Sequence, residues 1–284
     1  MATRIKGRFA TTLGCIAVVI WSSSAVILYH IKSIPLFELV GLLFVGCSVP
    51  SLVSISLKKN WKKIEWKWSK WAIGVSSILL FQILFVLALR YLEPATAELI
   101  LSLWPSLGAL LISLRPGEKF TWKYLVPIGV GLSAVWMLLG SKITVGNARW
   151  YWLLPLFAAL SWTGYLLFSR HHKDDPPEMI GLYFGAGGLI CLMIRGFSLS
   201  VSGTSLLLVA FLGVGVLGFS QVMWDTGVKR GNAILMSIFA NIAPALSMGW
   251  LCLFGLAKIS TTLIFSYLLV VLASFISLRI ESRA

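Results

Sequence analysis

Charged side chains are scarce in this chain, and acids most of all: ten Asp and Glu stand among 284 residues, against 24 Lys and Arg. Charged residues make up 12% of the sequence, where a soluble domain carries about 25%. An ordinary water-soluble domain of this length is therefore excluded. Histidine is scarcer still, with three copies. His30 ends an apolar run, and His171 and His172 lie in the polar stretch "RHHKDDPPE". No metal site and no cofactor are expected, because metal chemistry needs clustered ligands. Cys15, Cys47, Cys191 and Cys252 all fall within apolar runs without paired spacing, which argues against a disulfide framework or a zinc site. There is no phosphate-binding glycine loop, so ATP drive from this chain is not expected; nor is an enzyme, because all three histidines lie at span ends or in loops rather than clustered with acids at membrane depth.

What the sequence has in abundance is apolar length. Hydrophobic residues make up 58%, and the mean hydropathy is +0.90. Ten apolar runs stand out, at about 9–29, 34–57, 71–90, 94–114, 121–140, 150–169, 177–197, 204–227, 232–255 and 259–279. A bilayer crossing takes about 20 such residues, so the expectation is an all-α integral membrane protein with ten transmembrane helices. The first run is longer than the roughly 7–15 residues of a signal-peptide core and is read as a span.

The formal charge of +14 follows the membrane rather than nucleic acid. With the N-terminus placed in the cytoplasm, 18 of the 24 basic residues fall on the cytoplasmic side, as the positive-inside rule asks. Both termini are then cytoplasmic, in a multi-pass protein of a bacterial inner membrane. The stretch "LKKNWKKIEWKWSK" reads as an interfacial loop at lipid headgroups. The partners expected are the lipid bilayer and a small-molecule substrate, with the monomer as the working unit.

The two halves echo each other. "VVIWSSSAV" resembles "ALSWTGYLL", with Trp21 and Trp162 141 residues apart; "LSLWPSLGALL" resembles "FANIAPALSMG", with Pro105 and Pro244 139 apart. This suggests two five-helix repeats, 1–145 and 146–284. Five spans is an odd number, so the second half must insert upside down, an architecture of secondary transporters whose site lies at midplane between the repeats. Both prolines fall at the centre of their spans. An interior proline costs about 3 kcal/mol or more, and lipid cannot satisfy the carbonyl it frees, so irregular backbone there must face protein or a watery cavity. Pro105 and Pro244 are therefore expected to be hinges beside a cavity.

At these residues the chain resembles a known family. "LWPSLGALLISLRPGEKFTW" is similar to the drug/metabolite transporter superfamily of the EamA type; "SLWPSL", "WKYLVPIGVGLSAVWMLLG" and "GFSQVMWDTGVKRGNAILMSI" look like its YddG-type aromatic amino acid exporters. The resemblance implies a basket-shaped helical fold, alternating access, and passage of amino acids or sometimes cationic drugs. It also carries cavity positions onto Trp104, Trp162, Phe81, Gln82 and Ser102. Phe81 and Ser102 stand where family tyrosines are common.

Independently of the resemblance, an amino acid needs hydrogen-bond acceptors, donors and an apolar wall. Trp21, Trp104, Trp162 and Tyr165 are candidates for the wall and for cation–π contact; Gln82, Ser22, Ser102 and Asn241 for hydrogen bonds. Glu98 is either an ammonium or coupling-proton site or a rim partner of Arg90. Asp225 is a gate or coupling candidate, either in a gate-region ion pair with Lys229 at i+4 or in a substrate role. Glu38 reads as a helix-start residue. The expectation is an exporter of amino acids, with another metabolite or a cationic drug, proton-coupled or not, as the alternative.

Overall fold

The computed structural model describes residues 2–114, 122–139, 150–172, 174–201 and 203–281. The expected junction at 141–149 lies outside them, as do Arg115, Lys119 and Lys173. Every long element is a helix: α1 (Ala2–Trp21), α2 (Ser24–Ile31), α3 (Leu36–Leu57), α4 (Trp68–Tyr91), α5 (Pro94–Leu101), α6 (Trp104–Ser113), α7 (Leu125–Leu139), α8 (Leu153–His171), α9 (Met179–Ile194), α10 (Gly203–Ala210), α11 (Ser220–Arg230), α12 (Ala233–Leu253) and α13 (Thr261–Glu281). A π-helical stretch, Phe211–Phe219, joins α10 to α11. Six helical segments are long and apolar enough to cross a bilayer. Three shorter apolar helices, Leu125–Leu138, Met179–Ile194 and Phe239–Leu253, lie between them. The chain is a multi-pass membrane protein.

Local chemistry sets several helix ends. Pro94 occupies the first turn of α5, where its missing N–H is not needed. Asn232 caps α12, its side-chain oxygen accepting from the Leu235 amide at 3.0 Å. The run at 94–114 is not one helix. It breaks at Ser102 and Leu103, so that Pro105 falls in the first turn of α6 rather than in a helix interior. That placement removes the proline's penalty. The first run breaks likewise at Ser22 and Ser23. Pro244 differs from expectation, because α12 runs unbroken through it. Proline in a continuing helix gives up one backbone bond and is tolerated where neighbours surround it.

The helices pack in pairs far apart in sequence: α3 on α9, α1 on α11, α4 on α8 and α7 on α13. Lipid supplies no hydrophobic drive between helices, so close contact depends on small residues. The α3–α9 seam has them in Gly41, Gly185 and Gly188, and Phe44 meets Phe184 edge-on with ring centroids 4.7 Å apart.

Polar ties hold the same pair at both ends. At the end where α1 begins, the near face, Ser54 and Lys58 both donate to Glu178, at 2.7 and 2.6 Å. Lys70 donates to Asp175 at 2.6 Å and to Glu65 at 3.0 Å. At the far face, Glu38 is fully buried. It accepts from the Val201 amide at 2.7 Å and the Ser200 hydroxyl at 2.7 Å, with Arg195 3.7 Å away. Glu38 does begin a helix, and it also fastens that helix to the other half of the chain.

Candidate functional site

Two cavities run into the helix assembly and share a wall. The near chamber, about 160 Å³, is lined from α6, α8, α9, α11, α12 and α13, with Asp225, Val228 and Leu278 among its lining residues. The far chamber, about 110 Å³, lies among α1, α2, α4, α5, α8, the π-helical stretch, α11 and α12. Trp104 and Trp162 line both. A cavity of about 150 Å³ accepts benzene, so the near chamber has room for an aromatic ring.

The helix breaks put these side chains in place. Trp104 opens α6 directly after the Ser102–Leu103 break, and its carbonyl lies 3.1 Å from the Thr163 hydroxyl of α8, whose one proton is shared with the nearer Ala159 carbonyl at 2.8 Å. The residue beside Thr163 is Trp162, so this contact brings both tryptophans to the shared wall. The Ser102 hydroxyl turns back to the Glu98 carbonyl at 2.6 Å. Rings continue outward from the wall: Phe81 is 5.2 Å from Trp162, Tyr165 is 5.6 Å from it, and Trp21 meets Trp224 at 4.9 Å. Such contacts hold aromatic planes in fixed orientation.

The sequence candidates divide between the chambers. Phe81, Gln82, Ser102, Trp21, Glu98 and Pro244 line the far one. Tyr165, Asn241, Asp225 and Pro105 line the near one. Ser22 lines neither. Its hydroxyl donates to the Val19 carbonyl at 2.8 Å and accepts from the Trp250 indole at 3.1 Å, while its own carbonyl accepts from Ser247 at 2.9 Å. It secures the α1–α2 break to α12. The Arg90 guanidinium reaches the Lys32 and Ile34 carbonyls rather than Glu98, so that rim pair does not form. The Lys229 side chain lies outside the described residues. Among those residues no group of three His, Cys, Asp or Glu stands ready for a metal.

Sequence reasoning missed Trp224 and Gln221. Both line the chambers, and with Asp225 they stand at i, i+3 and i+4 of α11. That is one helix face, so the signal was present in "QVMWDTG".

At the near face, outside the membrane-spanning segments, burial alone would raise the Glu178 carboxyl. The hydrogen bonds from Lys58 and Ser54 and the Lys58 charge outweigh that and hold it below its ordinary value. Glu65 is also held low, by its bond to Lys70 and the Lys70 charge.

This arrangement, a lipid-facing helical exterior around paired aromatic cavities, belongs to a solute-carrying membrane protein. Residues 8–140 match the EamA-like transporter family. The chain is 28% identical over 270 residues to the aromatic amino acid exporter YddG of Ancylobacter novellus, covering 92% of this chain and 94% of that one. It is 21% identical over 258 residues to the YddG of Escherichia coli K12, covering 84% and 86%. A solved crystal structure, 26% identical, matches with a TM-score of 0.74 over 96% of this chain and 99% of the other. The first half of the chain is thus similar to the EamA-like transporters of the drug/metabolite transporter superfamily, and nearly the whole chain to the YddG-type exporters.

Proposed function

We propose that the chain is a secondary transporter of a bacterial inner membrane that exports amino acids, aromatic or other neutral ones, and related metabolites. It works as a monomer with both termini in the cytoplasm. The observation that carries this reading is the shared wall: Trp104 and Trp162 line chambers reaching toward opposite faces. A ring held between them passes from one chamber to the other without leaving an aromatic surface. Gln82, Ser102 and Asn241 supply neutral hydrogen-bonding groups along the way. The names of the relatives, exporters of aromatic amino acids, support carrying that substrate class to this chain.

The ten spans are the six long segments, α7, α9, α12, and the broken α5–α6. Reading 1–145 and 146–284 as oppositely inserted repeats makes α1–α11 the counterpart of α8–α4, and leaves α3 with α9 and α7 with α13 as self-paired mates. Glu38 and Glu178, and Phe44 and Phe184, are each 140 residues apart; each glutamate ties α3 to the other half and the two rings touch. Those relations support the repeat. Alternating access then opens one chamber while the other closes at the tryptophan wall.

The test is flux of a labelled amino acid panel through proteoliposomes, with and without a pH gradient. Tryptophan and phenylalanine are expected to move faster than through empty liposomes. No flux for any amino acid overturns the substrate reading, and flux of a cationic drug or another metabolite in its place installs the alternative.

A further inference from the structure

Among the described residues, the far chamber is lined by one charged side chain, and it is an acid. Of the sixteen residues lining it, Glu98 alone carries a formal charge. The residue is 7% exposed, and among the described residues no hydrogen bond or ion pair reaches its carboxylate. The nearest sequence candidate for a partner, Arg90, is occupied by backbone carbonyls. The Tyr267 hydroxyl donates to the Ala95 carbonyl, at 2.9 Å, one turn away. A carboxylate at membrane depth that faces a cavity without a protein cation is built to meet a cation from that cavity.

Two further groups in the same chamber lack partners among the described residues. The amide nitrogen of Gln82 and the amide oxygen of Gln221 are buried with no hydrogen-bond partner, and both residues line it. Buried polar groups are nearly always satisfied, so these wait for a ligand. Their chemistry differs from that of Glu98, since an amide offers a neutral donor or acceptor.

We infer that the far chamber recognises its solute by the ammonium group, through Glu98, while the solute's carboxylate meets only neutral donors such as the Gln82 amide. The inference rests on the reading that these chambers carry aromatic amino acids, and it assigns the polar ends of that substrate. The ring lies against Trp104, Trp162 and Phe81, and the carboxylate points away from Glu98 because like charges repel. Both ends of the solute make bonds to an ionised group, but only the ammonium meets an opposite formal charge, and leaving Glu98 buried without a cation is costly. The ammonium is therefore required and the carboxylate dispensable.

Direct calorimetric titration of the whole protein in nanodiscs distinguishes the two ends with three probes: phenylalanine, 2-phenylethylamine, which lacks the carboxylate, and 3-phenylpropionate, which lacks the amine. The amine is expected to bind within about threefold of phenylalanine, and the acid about thirtyfold or more weakly. In Glu98→Gln, phenylalanine and the amine are each expected to lose about tenfold or more, with the acid unchanged or improved. The ranking on the natural protein stands whether or not the variant folds. Equal affinity for the acid and phenylalanine overturns the inference. So does a Glu98→Gln protein that binds the amine undiminished, or a natural protein that binds none of the three. Glu98-dependent amine binding without amino acid flux keeps the ammonium site and removes the amino acid reading. Phenylalanine flux with no preference for the amine does the reverse.

Discussion

Trp104 owes its position to the proline that follows it. Pro105 has no N–H to give, so the chain breaks just before it and α6 restarts with the indole at the wall between the chambers. Removing that ring opens the wall. Trp104→Ala is expected to reduce amino acid flux in proteoliposomes by about tenfold or more while the protein remains folded; full flux would take Trp104 out of the site. Glu178 bears on stability rather than transport. Its carboxyl sits lower in the folded protein than in the unfolded chain, so its stabilisation is complete above the ordinary carboxylate value and is lost as pH falls through the lowered one. Thermal midpoints in detergent should drop across that acid range, and Glu178→Gln should show a smaller drop over the same range. The half-exposed Lys58 keeps the pair partly screened.

At the scale of the element, the α3–α9 seam depends on backbone approaching backbone. A Cβ at Gly188 would lie 2.8 Å from the Val45 amide nitrogen and 2.9 Å from the Gly41 carbonyl oxygen. Neither atom belongs to a side chain that can swing away, so the helices themselves must separate. Gly188→Ala is expected to lower stability by about 1–3 kcal/mol, read as a fall in the thermal midpoint of the purified protein. Gly164 and Gly249 are the matched controls, being helical with nothing within 4 Å of an added Cβ. Alanine there should be neutral or stabilise by up to about 1 kcal/mol, through backbone entropy alone. A Gly188→Ala protein as stable as these controls would mean that the seam is looser than its geometry.

For the whole molecule, the seam's ties at both faces make α3 and α9 the pair expected to move least in the proposed transport cycle. Glu38 and Glu178 fasten its two ends, and the glycine contacts fill the length between. On that proposal, motion between the halves falls on the pairs around the chambers. Cysteines at Ser48 and Gly185, where an ideal Cβ lies 3.1 Å from its partner, are near the spacing a disulfide needs, about 3.5–4.5 Å. In a background without Cys15, Cys47, Cys191 and Cys252, oxidising that pair is expected to leave transport above half its reduced rate. Abolished flux would place the moving joint in the seam itself.

Most of the architecture was legible in sequence because lipid imposes one simple demand, long apolar helices with satisfied backbones. Hydropathy located the six long apolar helices, and charge suggested an orientation. The proline in "LWPSL" announced irregular backbone near Trp104, and twelve of the thirteen site and hinge candidates line a chamber. What periodicity could not reveal were the contacts between distant segments. Sequence marked Glu38 as a helix-start acid, but only packing set it against Ser200, 162 residues on. Ser22 read as a substrate ligand until the fold turned it toward Trp250. Pro244 mirrors Pro105 in sequence, yet α12 continues where the other helix breaks. A residue's type sets what it can bond. Which partners come within reach is decided by how the helices close around one another, and that depends on every seam at once.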